Sequence, residues 1–269
     1  YGSFTYGFGE RYILTASLRS DASNRFGQDT KSRFLPVWSL GGRWNVSNEP
    51  WMQEQRVVSD LNFRVSYGWQ GNVAENYGPD LIVRMGSGVE TIDYYTGEYM
   101  MFVSSLPYGN LRWEKTRTIN IGTDFGLFQN KVMFTVEYYY KHTEDMIVEK
   151  TVPYAYGVTS MPINGGNMTN RGIEASASFT PVRTKNFVWS MSVNTSKNFN
   201  KVKAEMNANE NWRAAVSGSL NKEGYPVSSF WAFDFKGLNP NTGSAEFDIP
   251  SVAENPEGGV DATTYMKYM

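Results

Sequence analysis

The chain has 269 residues and a formal net charge of −2, and it contains no cysteine. These values exclude a disulfide-stapled fold and a cysteine-based metal or redox site, and they show no basic footprint for nucleic acid. No run of about 18 apolar residues occurs, so the sequence predicts no transmembrane helix. The opening residues 1–6 already have the pattern of a strand and resemble no signal peptide. We therefore expect a segment of a longer protein.

Apolar and polar residues alternate with a period of two along most of the chain, which predicts β-strands. Between residues 61 and 70, Leu61, Phe63 and Val65 fall on one face of the predicted strand, and Asn62 and Arg64 fall on the other. In chain order, the predicted strands lie near 2–8, 11–21, 34–46, 58–70, 114–127, 132–143, 171–182, 187–198, 227–236 and 243–248. The pattern predicts an all-β, antiparallel fold of about ten strands.

The two faces of these predicted strands differ in charge. In the alternating segments between Tyr12 and Val193, one face is rich in aliphatic and aromatic residues and carries no Asp, Glu, Lys or Arg. A Lys or Arg that faces lipid at mid-membrane costs about 2–4 kcal/mol. The pattern indicates one face against lipid and the other against a water-filled lumen. The residues expected to face the lumen, or a plug inside it, are Arg43, Arg64, Asn120, Asp124, Glu137 and Glu174.

The predicted connections differ in length at the two ends of the strands. Those at 9–10, 128–131 and 184–186 are tight turns, and 46–57 is intermediate. The connections expected to be long are 22–33, 71–112, 143–170 and 199–226. Short periplasmic turns and long extracellular loops are typical of outer-membrane β-barrels, whereas a soluble sandwich has loops at both ends. A soluble β-rich protein with core aromatics remains the alternative.

Several motifs occur in a fixed order along the chain. They lie at 11–27, 61–72 (LNFRVSYGWQGN), 111–128 (LRWEKT leading into NIGTDFGLF), 170–174 (NRGIE) and 237–243 (GLNPNTG). Together they resemble barrel motifs of the SusC/RagA family of TonB-dependent outer-membrane transporters, known from Bacteroidetes. Two positions depart from that pattern. Ala22 replaces the usual Gly, and Gly42-Arg43-Trp44 replaces Gly-Trp-Arg.

The resemblance implies a fold and a function. Residues 1–269 would be part of one transmembrane barrel domain of about 22 strands, with the plug domain and the terminal strands absent from this segment. The whole protein would import glycans or oligopeptides actively across the bacterial outer membrane. TonB would supply energy through the absent N-terminal part, and a SusD-like surface lipoprotein would help to capture the ligand. The barrel would be a wall, not an enzyme, and it would need no cofactor.

Catalytic and metal-binding patterns are absent from the sequence. His142 is the one histidine, and we expect it to be a solvated loop residue, because a metal site needs several convergent ligands. The adjacent acids Glu144 and Asp145 could in principle serve a glycosidase, but neighbouring acids on a loop are more often solvated.

The predicted long loops are richer in candidates for ligand binding. An aromatic ring can stack on the apolar face of a sugar or on a peptide side chain. The candidates are Tyr94, Tyr95, Tyr99, Tyr154, Tyr156 and Trp212. The alternative for all of them is packing between loops or against the capping lipoprotein.

Three other functions stay open at this stage. The first is a passive porin or an adhesin carried on a barrel. The second is a soluble carbohydrate-binding protein, which predicts charges on both strand faces. The third is an importer of a different cargo, such as a metal chelate or cobalamin, and the SusC-like motifs argue against it.

Overall fold

A computed structural model describes residues 1–24, 33–73, 77–88, 91–204, 215, 217–218, 220–227, 229–232 and 234–247. The strands are β1 Gly2–Phe8, β2 Tyr12–Ala22, β3 Phe34–Asn45, β4 Val58–Asn72, β5 Ile82–Met85, β6 Met101–Ser105, β7 Glu114–Leu127, β8 Val132–Thr151, β9 Ser160–Arg183, β10 Val188–Val202, β11 Phe235–Leu238 and β12 Ala245–Phe247. Short 3-10 turns cover Val46–Asn48, Pro50–Met52 and Tyr154–Tyr156. None of the helical turns in the described ranges is long and apolar enough to cross a membrane.

Eight of these strands form one sheet, in the order β1-β2-β3-β4-β7-β8-β9-β10. Every neighbouring pair in it is antiparallel. The connections 9–11, 46–57, 128–131 and 184–187 lie at one end, called here the short-turn end, and the remaining ones lie at the long-loop end. This up-and-down order, with β1 and β10 at the edges, is the arrangement of a barrel wall.

The register places the alternating apolar residues of all eight strands on one face, called here the apolar face. Trp44 opposes Tyr12 on one side and Phe63 on the other, with ring centroids 6.4 and 6.1 Å apart. Val65 and Ile121 oppose each other, and 53% and 52% of their surfaces are exposed. No layer of described residues covers this face. The expectation of an exposed, uncharged face is confirmed for the alternating segments, whereas Arg117, Arg171 and Lys197 lie on the same face nearer the long-loop end.

Strands β8 and β9 are longer than the sequence predicts, at 20 and 24 residues. A tilted transmembrane strand needs about 9–11 residues, so each is about twice as long as a membrane span would require. The expected loop at 143–170 is therefore mostly a paired hairpin, connected by 152–159. The pairing shifts between Thr143 and Met146, where Asp145 adopts a φ of 57°. A short polar side chain such as Asp tolerates this left-handed conformation.

Of the last two expected strands, 243–248 is present as β12, whereas the described residues of 227–234 form no strand. Pairing begins only at Phe235, and β11 and β12 form a separate two-stranded sheet. Within 227–236, Trp231 is buried and its ring centroid lies 4.7 Å from that of Tyr225. Trp231 therefore packs into a local cluster with Leu220, whereas the adjacent Phe230 is exposed. The expected loop 71–112 also contains the hairpin of β5 and β6.

Candidate binding surface of the barrel interior

The six residues expected to face the lumen all lie on the face opposite the apolar face. Five positions form one cross-strand row, in the order Arg43, Arg64, Gly122, Glu137 and Glu174. The row therefore places two arginines directly opposite each other and two glutamates directly opposite each other. Like charges in such positions are destabilising, so the row needs counter-charges.

Arg64 supplies most of this compensation. Its Nη2 donates to Oε1 of Glu137 at 2.6 Å, and its Nε lies 3.0 Å from Oδ2 of Asp124. Thr135 Oγ1 also donates to Asp124, at 3.0 Å. The arginine reaches Glu137 across strand β7, where Gly122 leaves room. A Cβ at Gly122 would lie 3.3 Å from both Arg64 Nη2 and Glu137 Cγ.

Arg43 and Glu174, at the two ends of the row, lack such compensation. Arg43 Nε donates to the amide oxygen of Asn45 at 2.7 Å. Across the ranges that the structure describes, neither side chain has a partner of opposite charge within 4.0 Å. The row thus has a positive and a negative end. With Asn120 and Tyr139, it lines a concavity of about 680 Å³. Such a wall can bind hydroxyls, amides or charged groups, whether they belong to a ligand or to a plug.

The LRWEKT motif, residues 111–116, holds the end of the long loop that follows β4 in place. Leu111 and Trp113 are buried, and they pack with Leu35 and Ile147. Leu111 is 1% exposed, so this end of the loop has its own small core. A motif that appears in the sequence as a strand start therefore also anchors the base of the long loop.

A network of hydrogen bonds lies beside the buried cluster of Leu111 and Trp113. Asn164 accepts the backbone N–H of Arg112 at 2.9 Å and donates to the carbonyls of Arg112 and Asp145 at 2.8 and 2.7 Å. Arg112 Nη2 donates to Asp145 at 2.5 Å, and this bond raises the pKa of Arg112. No sequence pattern indicates Asn164, because its partners become neighbours only through the extended β8–β9 pairing.

The acids and the histidine considered for catalysis have structural partners. Asp145 pairs with Arg112, as above. His142 lies within β8, its side chain is only 15% exposed, and its Nε2 lies 3.0 Å from Oε1 of Glu144. The expectation of a solvated loop histidine was therefore wrong, because β8 continues past it.

Tyr94 and Tyr95 lie at the tip of the loop that contains β5 and β6, and they are 93% and 92% exposed. Their ring centroids are 5.4 Å apart, edge to face. Asp93 fixes this turn, because its Oδ1 accepts the backbone N–H groups of Tyr95 and Thr96 at 2.9 and 2.8 Å. These backbone bonds lower the pKa of Asp93. Tyr99, also exposed, bridges back to Ile92.

Tyr154 and Tyr156 lie on the 3-10 turn at the tip of the β8–β9 hairpin, and both are exposed. A Cβ at Gly157 would lie 3.8 Å from the side chain of Val103, so this tip lies against β6. The two loops that carry the candidate tyrosines therefore touch. Trp212, the remaining candidate, lies outside the described residues.

Residues 1–256 match the family described as TonB dependent receptor-like, beta-barrel. The chain belongs to this family. It is 34% identical over 204 residues to TonB-dependent receptor P26 of Formosa agariphila, covering 75% of this chain and 20% of that protein. It is 27% identical over 252 residues to TonB-dependent receptor SusC of Bacteroides thetaiotaomicron, covering 87% of this chain and 24% of SusC.

Solved structures give the same result. The RagAB peptide importer in its closed-closed state matches with a TM-score of 0.79 and 27% identity, over 96% of this chain and 28% of that one. The open-open state matches with a TM-score of 0.77. The chain is thus a SusC/RagA-type barrel wall of the bacterial outer membrane. It spans about a quarter of the length of these relatives.

Proposed function

We propose that the protein containing this chain imports oligosaccharides or oligopeptides actively across the outer membrane. The observation that carries this proposal is the pairing of a lipid-exposed apolar face with a polar face that bears the charged row. Such a wall separates lipid from a wet interior, as a transport barrel must. The chain is similar in structure to the RagAB peptide importer and in sequence to SusC, which supports this proposal.

In this proposal the partners act at the two ends of the wall. TonB contacts a plug-bearing segment outside this chain and supplies the energy. A SusD-like lipoprotein covers the long-loop end, where the exposed tyrosines lie. Arg43 and Glu174 contact the plug in the resting state, because the lumen of such barrels is plugged. Their free charges also suit the hydroxyl, amide and terminal groups of the two cargo classes.

The test is growth of a strain that lacks the gene, on a polymer or on its monomer as sole nutrient. Import predicts lost growth on one polymer and normal growth on its monomer, with recovery when the wild-type gene is restored. Trials with a polysaccharide and with a protein digest separate the two cargo classes. Equal growth of mutant and parent on every polymer would contradict the proposal and would favour a passive pore or an adhesin.

A further inference from the structure

The apolar face ends in cations on the long-loop side of the sheet. On β9, the outward residues Phe179, Ala177, Ala175 and Ile173 are followed by Arg171. On β10, Trp189, Met191 and Val193 lead up to Lys197. Both cations are exposed.

The spacing places these cations at the edge of the hydrocarbon layer. From Phe179 to Arg171, a strand that rises about 3.3 Å per residue climbs about 26 Å along its own axis. A strand tilt of about 40° reduces this to about 20 Å of membrane depth, against an apolar band about 25 Å tall. The same spacing holds from Trp189 to Lys197. Because long loops are extracellular in such barrels, this edge meets the outer leaflet.

Arg171 and Lys197 share one aromatic ring. Arg171 Cζ lies 5.7 Å and Lys197 Nζ lies 5.2 Å from the ring centroid of Phe199. A cation over a ring face is held by the charge distribution of the ring. Phe199 therefore keeps both positive groups close together on the lipid side of the sheet.

Neither cation has a carboxylate partner within 4.0 Å among the residues that the structure describes. Glu144, on the neighbouring strand β8, contacts His142 instead, with its Oε1 3.0 Å from Nε2 of the histidine. The sheet thus presents a doubly positive, aromatic-backed site beside lipid. Arg117, over the ring of Trp69 at 5.7 Å, repeats the arrangement on β7.

We propose that Arg171 and Lys197 bind a phosphate group of a phosphorylated outer-leaflet glycolipid of the lipid A type. A guanidinium donates a planar pair of N–H groups to phosphate oxygens, and an ammonium adds a point charge. The acyl chains of the lipid lie along the apolar face below. This site is independent of the proposed import function, since it faces away from the lumen.

The test uses the full-length protein, purified in a non-ionic detergent, and measures binding of lipid A by native mass spectrometry. The variant Arg171→Gln/Lys197→Gln removes both charges and keeps side-chain length. The matched control is Lys141→Gln, which removes a cation at a similar height on the polar face. The ligands are lipid A with its phosphates, dephosphorylated lipid A with the same acyl chains, and inorganic phosphate.

We expect the wild type and Lys141→Gln to bind phosphorylated lipid A at least tenfold more tightly than the dephosphorylated form. The double variant should bind both forms within twofold of each other. A preference retained by the double variant, or absent from the wild type, contradicts the proposal. Displacement of the lipid by millimolar inorganic phosphate contradicts the assignment to a lipid. Unheated gel mobility reports folding, and the single variants, each expected to lose part of the preference, replace the double variant if it does not fold.

Discussion

Arg64 and Glu137 form an ion pair at 2.6 Å although their strands, β4 and β8, are not neighbours. Strand β7 lies between them, and the arginine crosses it above Gly122. The contact therefore depends on a position without a side chain as much as on the two charges. It connects three strands of the wall through one side chain.

Gly122→Val should lower the stability of the barrel sheet, because the added methyl groups occupy the space through which Arg64 reaches Glu137. A Cβ alone already comes within 3.3 Å of both partners. We expect a loss of about 1–3 kcal/mol in the free energy of unfolding, the cost of leaving a charged group poorly bonded. Urea unfolding of the folded protein in detergent measures it. Gly7→Val on β1, where nothing lies within 4 Å of the added Cβ, is the control. Equal losses in both variants would refute the crossing as the cause.

Arg64→Gln should destabilise more than Arg43→Gln. Removing Arg64 leaves Asp124, Glu137 and Glu174 close together without a compensating cation. Water in the lumen screens these charges, so we expect about 1–2 kcal/mol for Arg64→Gln. Arg43 has only an amide partner, and its loss should cost under about 0.5 kcal/mol. The same urea titration compares them, and a larger effect from Arg43 would contradict this view of the row.

The sequence could predict which residues face lipid but not which charges pair. Lipid acts on each strand position separately, so the period-two pattern alone places Val65 and Arg64 on opposite faces. The partner of Arg64 depends on strand register and on the space above Gly122, neither of which leaves a local pattern. The sequence does not predict the full length of β8, because a strand that continues past the membrane needs no uncharged face. Trp231 falls within a predicted strand because an apolar residue that packs locally gives the same sequence signal as one that faces lipid.

Glu49, on the connection between β3 and β4, should make stability depend on pH. The hydroxyl of Tyr12 donates to it at 2.6 Å and the indole of Trp44 at 3.0 Å, and Arg11 adds an ion pair at 3.2 Å. These bonds lower the pKa of Glu49, the one from Tyr12 most strongly. A carboxyl whose pKa is lower when folded adds stability above its unfolded pKa of roughly 4.3, and this is lost as the pH falls through the folded pKa.

Thermal unfolding of wild type and Glu49→Gln tests this dependence. The wild type should have the higher Tm at pH 7, and the difference should shrink steadily below about pH 4. Glu54 is an exposed acid on the same connection, and the variant Glu54→Gln should have the Tm of the wild type at both pH 7 and pH 3. A gap between wild type and Glu49→Gln that stays constant from pH 7 to pH 3 would assign the effect to packing.

Tyr94→Ala/Tyr95→Ala should impair cargo capture without affecting folding. Both rings are almost fully exposed, so their loss removes little packing. We expect the variant to bind cargo at least about fivefold more weakly than the wild type. Each of the two lost rings contributes about 0.5–1.5 kcal/mol when a ligand stacks on it. Tyr94→Phe/Tyr95→Phe keeps the rings and should retain most of the affinity. If both double variants bind cargo as the wild type does, the tip has another role.

Asn164→Ala should loosen the long loop at its base. The variant loses two hydrogen bonds that join the β8–β9 hairpin to Arg112 and a third that joins β9 to Asp145 of β8. Each buried polar group left without a partner costs about 1–3 kcal/mol. Limited proteolysis should cut faster within 73–113, while the remaining wall resists cleavage. Asn194→Ala, on the polar face of β10, is the control and should leave the cleavage rate unchanged. An equal rise in the cleavage rate of both variants would show that Asn164 does not specifically hold the base of the loop.

The length of β9 fixes the height of everything built around the mouth of the barrel. Its 24 residues extend about 79 Å, and even when tilted they rise more than twice the thickness of the apolar band. The turn at 152–159 therefore lies tens of ångströms beyond the surface of the bilayer. The exposed rings of Tyr154 and Tyr156 are therefore presented to the aqueous medium well away from the membrane surface.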